Sequence, residues 1–196
     1  MDIVHLDGEL IVINKPASLL SVPGRSEADC AAARVQAQYP EALIVHRLDM
    51  ATSGLLLFAR GADAQRALSA DFAERRVKKR YVAIVEGCVS APDWRVIDRP
   101  LIADWPNRPR QKVDSQLGKP SLTRYRALDT QDHQTRLELE PVTGRSHQLR
   151  VHLTSIGHTI VGDMLYGGRP APRLMLHACG LELPGRGLKL ESAPDF

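Results

Sequence analysis

Little in this chain of 196 residues points to disulfide, metal or nucleotide chemistry. Its three cysteines, Cys30, Cys88 and Cys179, are an odd, widely spaced set with no CxxC pair. Such a set argues for a reducing compartment and against a disulfide framework or a zinc cluster. No apolar run approaches the ~20 residues that a membrane-spanning helix needs. The N-terminus, Met1-Asp2-Ile3-Val4-His5, lacks the basic and apolar segments of a signal peptide. A cytoplasmic protein with no membrane partner is the expectation. The P-loop pattern, GxGxxG after a strand and GxSxG are all missing, which disfavours nucleotide hydrolysis, hydride transfer and serine hydrolysis. His147 and His152 stand five apart, which is not the HExxH spacing, and no third ligand lies at a familiar offset, so no metal is expected. There is no internal repeat, low-complexity tract or obvious linker, and a single domain over 1–196 is expected.

What is present reads as an ordinary soluble globular chain, with 43% apolar and 25% charged residues. Residues 10–14 form a compact apolar run that Lys15-Pro16 ends, which predicts a strand. Residues 26–29 offer capping chemistry for an alanine-rich helix over 30–38 that Pro40 terminates. Short strands are expected up to Val45 and again from Leu55. Residues 63–75 carry Ala64, Ala67, Leu68 and Phe72 at helical spacing. A strand over 80–87, a proline-dotted insertion or hairpin over 90–120, and paired strands over 121–128 and 135–139 follow. A turn at 143–146 leads into a short helix over 147–157. Strands outnumber helices without alternating with them, so the fold class is α+β with a largely antiparallel sheet.

One stretch draws the chemistry together. His46-Arg47-Leu48-Asp49-Met50-Ala51-Thr52-Ser53 sets a polar cluster directly before the apolar run that starts at Leu55. An aspartate beside an arginine is usually a structural ion pair, but a carboxylate buried between two strands needs a partner. Kept ionised, it can act as nucleophile or base. Arg145, in a Gly-Arg-Ser turn at the mouth of a helix, is a candidate partner, with phosphate binding or turn packing as its plainer roles. Tyr81 opens a strand and either packs in the core or faces a site, where it would stack on a base or exchange a proton. His46 and His177 neighbour apolar residues, which favours core or supporting roles.

Net charge is only +3, so the placement of the cations matters more than their sum. Residues 75–80 hold five cations in six positions, although most such runs are solvated faces. Trp105 among Arg108, Arg110 and Lys112 has the makeup of a surface that grips an RNA loop. A structural hairpin with a buried tryptophan is an equal reading of the same residues.

Several of these stretches resemble one family. His46-Arg47-Leu48-Asp49-x-x-Thr52-Ser53-Gly54-Leu55-Leu56 is similar to the signature of the RluA family of pseudouridine synthases, and residues 143–152, Thr-Gly-Arg-Ser-His-Gln-Leu-Arg-Val-His, resemble its second conserved stretch. Asn14-Lys15-Pro16-Ala17, Lys79-Arg80-Tyr81-Val82-Ala83 and Leu176-His177-Ala178 fall in the family's order. The resemblance implies a mixed, largely antiparallel sheet with flanking helices and a central active-site cleft. It implies an isomerase that converts uridine to pseudouridine in RNA with no cofactor and no metal. Asp49 would attack the uridine at C1′ or C6, Tyr81 would stack on the base, and Arg145 would pair with Asp49. Arg47 would contact RNA and help displace the base, and Leu176 or Leu174 would floor the uracil pocket. Residues 104–112 and 193–196 resemble a dual-specificity member that acts on 23S ribosomal RNA and on the anticodon stem-loop of some transfer RNAs. Many relatives carry an N-terminal S4-type RNA-binding domain, and none is expected before this catalytic domain. Ser18 stands where relatives often have glycine. A monomer is expected.

Overall fold

A computed structural model describes residues 1–196, and the α+β expectation is borne out. The chain divides into two compact units, residues 1–78 with 177–195, and residues 79–176 with 196.

In the first unit, β2 (Leu10–Lys15) and β4 (Ser53–Arg60) pair antiparallel, Leu10 opposite Ala59 and Lys15 opposite Gly54. Both strands are buried on both faces, which is why they read as continuous apolar runs rather than as alternating ones. β1 (Asp2–Leu6) lies on the outer edge of β2, with a register shift between Ile3 and His5. The other edge of β4 is shared. Its first residues pair in parallel with β11 (Leu176–Leu183), which makes the sheet mixed, and its last pair with β3 (Ala42–Ile44). β12 (Leu188–Glu191) folds back antiparallel on β11. Helix α2 (Ala62–Ala73) packs Leu68 and Phe72 against Leu10, Val12, Leu55, Leu57 and Leu181, as the helical spacing predicts. Ile11, Ile13, Leu56 and Phe58 point to the opposite face and are also buried.

Two local expectations are corrected here. Helix α1 (Ala31–Gln36) is capped by Cys30, whose Sγ accepts the Ala33 amide at 3.3 Å, while Asp29 turns away to the Arg34 guanidinium at 2.7 Å. The helix also ends at Gln36, so Pro40 does not stop it. Strand β1 had no clear sequence signal, because as a half-buried edge strand it lacks a clean apolar face.

In the second unit, β5 (Lys78–Glu86), β10 (Gln134–Pro141), β9 (Leu122–Gln131) and β6 (Arg95–Asp98) follow one another antiparallel. The β9–β10 hairpin turns on Asp132 and His133, both with positive φ, the conformation that a two-residue turn matched to strand twist requires. Along one face, Arg126 meets Glu138 and Arg124 meets Glu140, each at 2.7 Å. The expected insertion is a separate small hairpin, β7 (Leu101–Ala103) with β8 (Gln111–Val113). Helix α3 (Gln148–Ser155) follows the 143–146 turn, with Leu149, Val151 and Leu153 buried.

Candidate active site

Asp49 lies in the connection between β3 and β4, where its carbonyl accepts the Thr52 amide at 3.1 Å. The residue is half-buried rather than buried, and Arg47 beside it is exposed. The chain around Asp49 is fixed from both sides. On one side the Ser21 hydroxyl bonds both main-chain groups of Leu48, accepting the amide at 3.0 Å and donating to the carbonyl at 2.7 Å. On the other, the Lys15 ammonium, 0% exposed, donates to the carbonyls of Pro16 and Leu19 at 2.8 Å and of Met50 at 3.2 Å. A buried ammonium is costly unless its donors are all used, and these carbonyls use them. His46 accepts the Leu57 amide at 3.0 Å through Nε2 and stacks on Phe72, the supporting role expected of it.

The end of the connection is held as closely. Ser53 Oγ and His177 Nδ1 are 2.8 Å apart, and His177 Nε2 lies 3.3 Å from Ser192 Oγ. Gly54 has φ +111, and a Cβ there would sit 2.3 Å from the Ala178 carbonyl, so only glycine lets β11 approach. Lys15 and Ser21 had no expected role. The signals for Lys15 were its place after an apolar run and within the family-like Asn14-Lys15-Pro16-Ala17 stretch, and Ser21 had none.

The other residues expected at a site belong to the second unit, with Leu176 at its end. Tyr81 is half-buried on β5, opposite Leu139 and on the same face as buried Ala83 and Val85. Arg145 is exposed, with its Nε 3.4 Å from the Pro120 carbonyl. Its turn is braced by buried Gln148, whose Oε1 accepts the Thr143 hydroxyl at 2.6 Å and the Arg145 amide at 3.0 Å. Gln148 Nε2 reaches the Leu122 carbonyl and Thr123 Oγ1, both at 3.0 Å. The turn lies beside the start of β5, where Lys79 Nζ is 3.7 Å from the place a Cβ on Gly144 would take. Leu174 and Leu176 are both buried.

Trp105 is 65% exposed, which removes the reading of a buried structural tryptophan. The Arg108 guanidinium covers its ring at 3.2 Å, and the Arg110 guanidinium lies 5.5 Å from the Tyr166 ring. At the foot of the hairpin the Asp114 carboxylate accepts the amides of Leu117 and Gln116, which hold its pKa below the ordinary value.

His152 is buried with both ring nitrogens engaged, Nδ1 2.9 Å from Thr123 Oγ1 and Nε2 2.9 Å from the Arg99 carbonyl. Burial pushes its pKa below the ordinary 6.5. No three or more histidine, cysteine, aspartate or glutamate side chains are grouped to hold a metal ion. No helix is long and apolar enough to cross a membrane.

Known proteins are similar to this chain over most of its length. The dual-specificity RNA pseudouridine synthase RluA of Escherichia coli K12 is 46% identical over 205 residues, covering 99% of this chain and 93% of that one. Its namesake in Salmonella typhi is 50% identical over 90% of this chain and 83% of its own. Among solved structures, human RNA pseudouridylate synthase domain containing 4 superposes with a TM-score of 0.84 at 27% identity, over all of this chain and 89% of that one. The human domain containing 1 gives 0.83 at 30% identity, over 99% of this chain and 83% of that one. Residues 9–155 match the RNA pseudouridylate synthase family, and the chain belongs to it.

Proposed function

We propose that this pseudouridine synthase has two RNA substrates, a site in 23S ribosomal RNA and the anticodon stem-loop of transfer RNAs, and that Asp49 is its nucleophile. The dual specificity rests on the 46% identity to the dual-specificity enzyme across 99% of the chain. For Asp49 the supporting observation is the pinning of its main-chain neighbours Leu48 and Met50 by Ser21 and Lys15, which presents one carboxylate in one geometry. The reaction is an isomerisation and balances without a cofactor. The Asp49 carboxylate attacks the uridine at C1′ or C6, the N1–C1′ bond breaks, and the base turns. The C5–C1′ bond then forms, the bond to Asp49 breaks and returns the free carboxylate, the C5 proton leaves to solvent, and N1 takes one up. Tyr81 stacks on the base, Arg145 supplies the cation, and Leu176 with Leu174 forms an apolar floor that keeps the free uracil from water. The uridine must leave its stack, at a cost of a few kcal/mol, roughly, if it is paired. Arg47 helps displace it, while Trp105, Arg108 and Arg110 hold the surrounding loop by stacking and phosphate contact. The working form is a cytoplasmic monomer.

Tritium release from C5-tritiated uridine tests this, with ribosomal and transfer RNA from a strain lacking the protein assayed separately. Release from both is expected. Release from one removes the dual specificity, and release from neither removes the assignment.

A further inference from the structure

The Tyr166 hydroxyl joins two elements to which the proposed function gives separate tasks. Its oxygen accepts the amide of Gln111, the first residue of β8, at 2.8 Å. It also lies 2.8 Å from Nδ1 of His147. The Gln111 amide can only donate, so the phenol oxygen accepts there, and the hydroxyl shares a second hydrogen bond with Nδ1 whose donor is set by the imidazole tautomer. Gln111 follows Arg110 at the end of the segment that carries Trp105 and Arg108. His147 is the left-handed N-cap residue of α3, two positions after Arg145.

The hydroxyl is not free to adjust. The Tyr166 ring is buried with Leu101 and Val151, and the Arg150 guanidinium lies 5.0 Å from its centre. Arg150 forms a buried two-bond pair with Asp163, both bonds 2.7 Å, with the two side chains 7% and 0% exposed. Asp163 Oδ1 accepts the Tyr166 amide at 3.2 Å. A buried ion pair therefore fixes Tyr166 from below, and the hairpin and the His147 turn meet above it.

We infer that Tyr166 is a positioning residue for the reaction, its hydroxyl holding the RNA-gripping hairpin in register with the turn that presents Arg145. RNA seated on Trp105 and Arg108 is then presented at a set distance from Arg145, and loss of the hydroxyl lets the two elements slip by the tenths of an ångström that catalysis cannot absorb. The inference rests on the roles proposed above for the hairpin and for Arg145.

The test is single-turnover tritium release at saturating stem-loop RNA, reading the rate constant and the active fraction separately, with RNA affinity measured alongside. Tyr166→Phe keeps the ring, and His147→Asn keeps a residue that tolerates positive φ but is too short to reach the hydroxyl. Each variant should lower the rate constant about tenfold with the active fraction intact and affinity within about twofold. The double variant should be no slower than either single, because one shared bond is lost. An unchanged rate constant with a smaller active fraction would show a role in folding alone and overturn the inference. Multiplying effects in the double variant would also overturn it, since the two side chains would then act apart. Arg145→Ala separates the two levels. If it keeps the full rate, the role given to Arg145 fails and the inference with it. If it is inactive while Tyr166→Phe is unimpaired, only the inference fails.

Discussion

Around Asp49, buried and half-buried polar side chains grip the backbone itself. Lys15 bonds three carbonyls, Ser21 bonds both main-chain groups of Leu48, and His46 takes the Leu57 amide. Around Trp105 the arrangement is reversed. The hairpin's ladder is three residue pairs long, Trp105 between its strands is 65% exposed, and Arg108 lies on the tryptophan ring instead of fixing the chain. A carboxylate that must meet one atom at one angle gains from a backbone with no freedom. A surface that must fit RNA of more than one sequence gains from flat aromatic and cationic faces that every base and phosphate can use. On the proposed function, the first region serves selective chemistry and the second tolerant recognition.

Apart from Asp49 itself, the largest effect that would sharpen this contrast is expected at Lys15. Lys15→Met removes the donor from three carbonyls, and stability should fall by about 2–4 kcal/mol in urea unfolding. The saturated rate should fall as well, since the Met50 peptide loses its tether. A stable variant at full rate would break the claim that the Asp49 turn is held from within. Next comes the hairpin. Arg108→Ala with Arg110→Ala should weaken RNA binding about tenfold or more and flatten the log-affinity against log-salt slope by about 1.5–2. The saturated rate should fall by a smaller factor, and an unchanged salt slope would take the hairpin out of the RNA interface.

The smallest effect is at His152, which serves neither region directly. Its folded pKa lies below the ordinary 6.5, so the unfolded chain takes the proton first. The stability from the neutral, buried ring is fully present above pH 6.5 and is lost as pH falls from there toward the folded value. Protonation would also set a second N–H against Thr123 Oγ1, which already lies within bonding distance of Gln148 Nε2. Wild type should lose stability between pH 7.5 and pH 5.5 by at most about 1.4 kcal/mol per pH unit more than His152→Gln. Equal losses would assign the dependence to other groups.

How far the sequence disclosed all this follows the same division. Long apolar runs such as Leu10–Ile13 and Leu55–Ala59 announced the central strands, and Leu68 with Phe72 announced the face of α2. The polar cluster at 46–53 and the cation-flanked Trp105 announced the two regions. What stayed hidden was whatever depends on distant partners. Nothing local says that Lys15 is buried, because the Met50 carbonyl it bonds lies 35 residues away. Tyr166 likewise meets Gln111 from 55 residues away. The exposure of Asp49 was misjudged for a related reason. Apolar neighbours in sequence fix the strand that follows and leave open how far the turn before it reaches into solvent.

The most direct test of the account measures one stem-loop RNA on Asp49→Ala, reading both tritium release and equilibrium affinity. The account predicts no detectable turnover, with affinity within about threefold of wild type, because chemistry and grip reside in different regions. Turnover surviving in Asp49→Ala would contradict it at its centre, whatever the affinity proved to be.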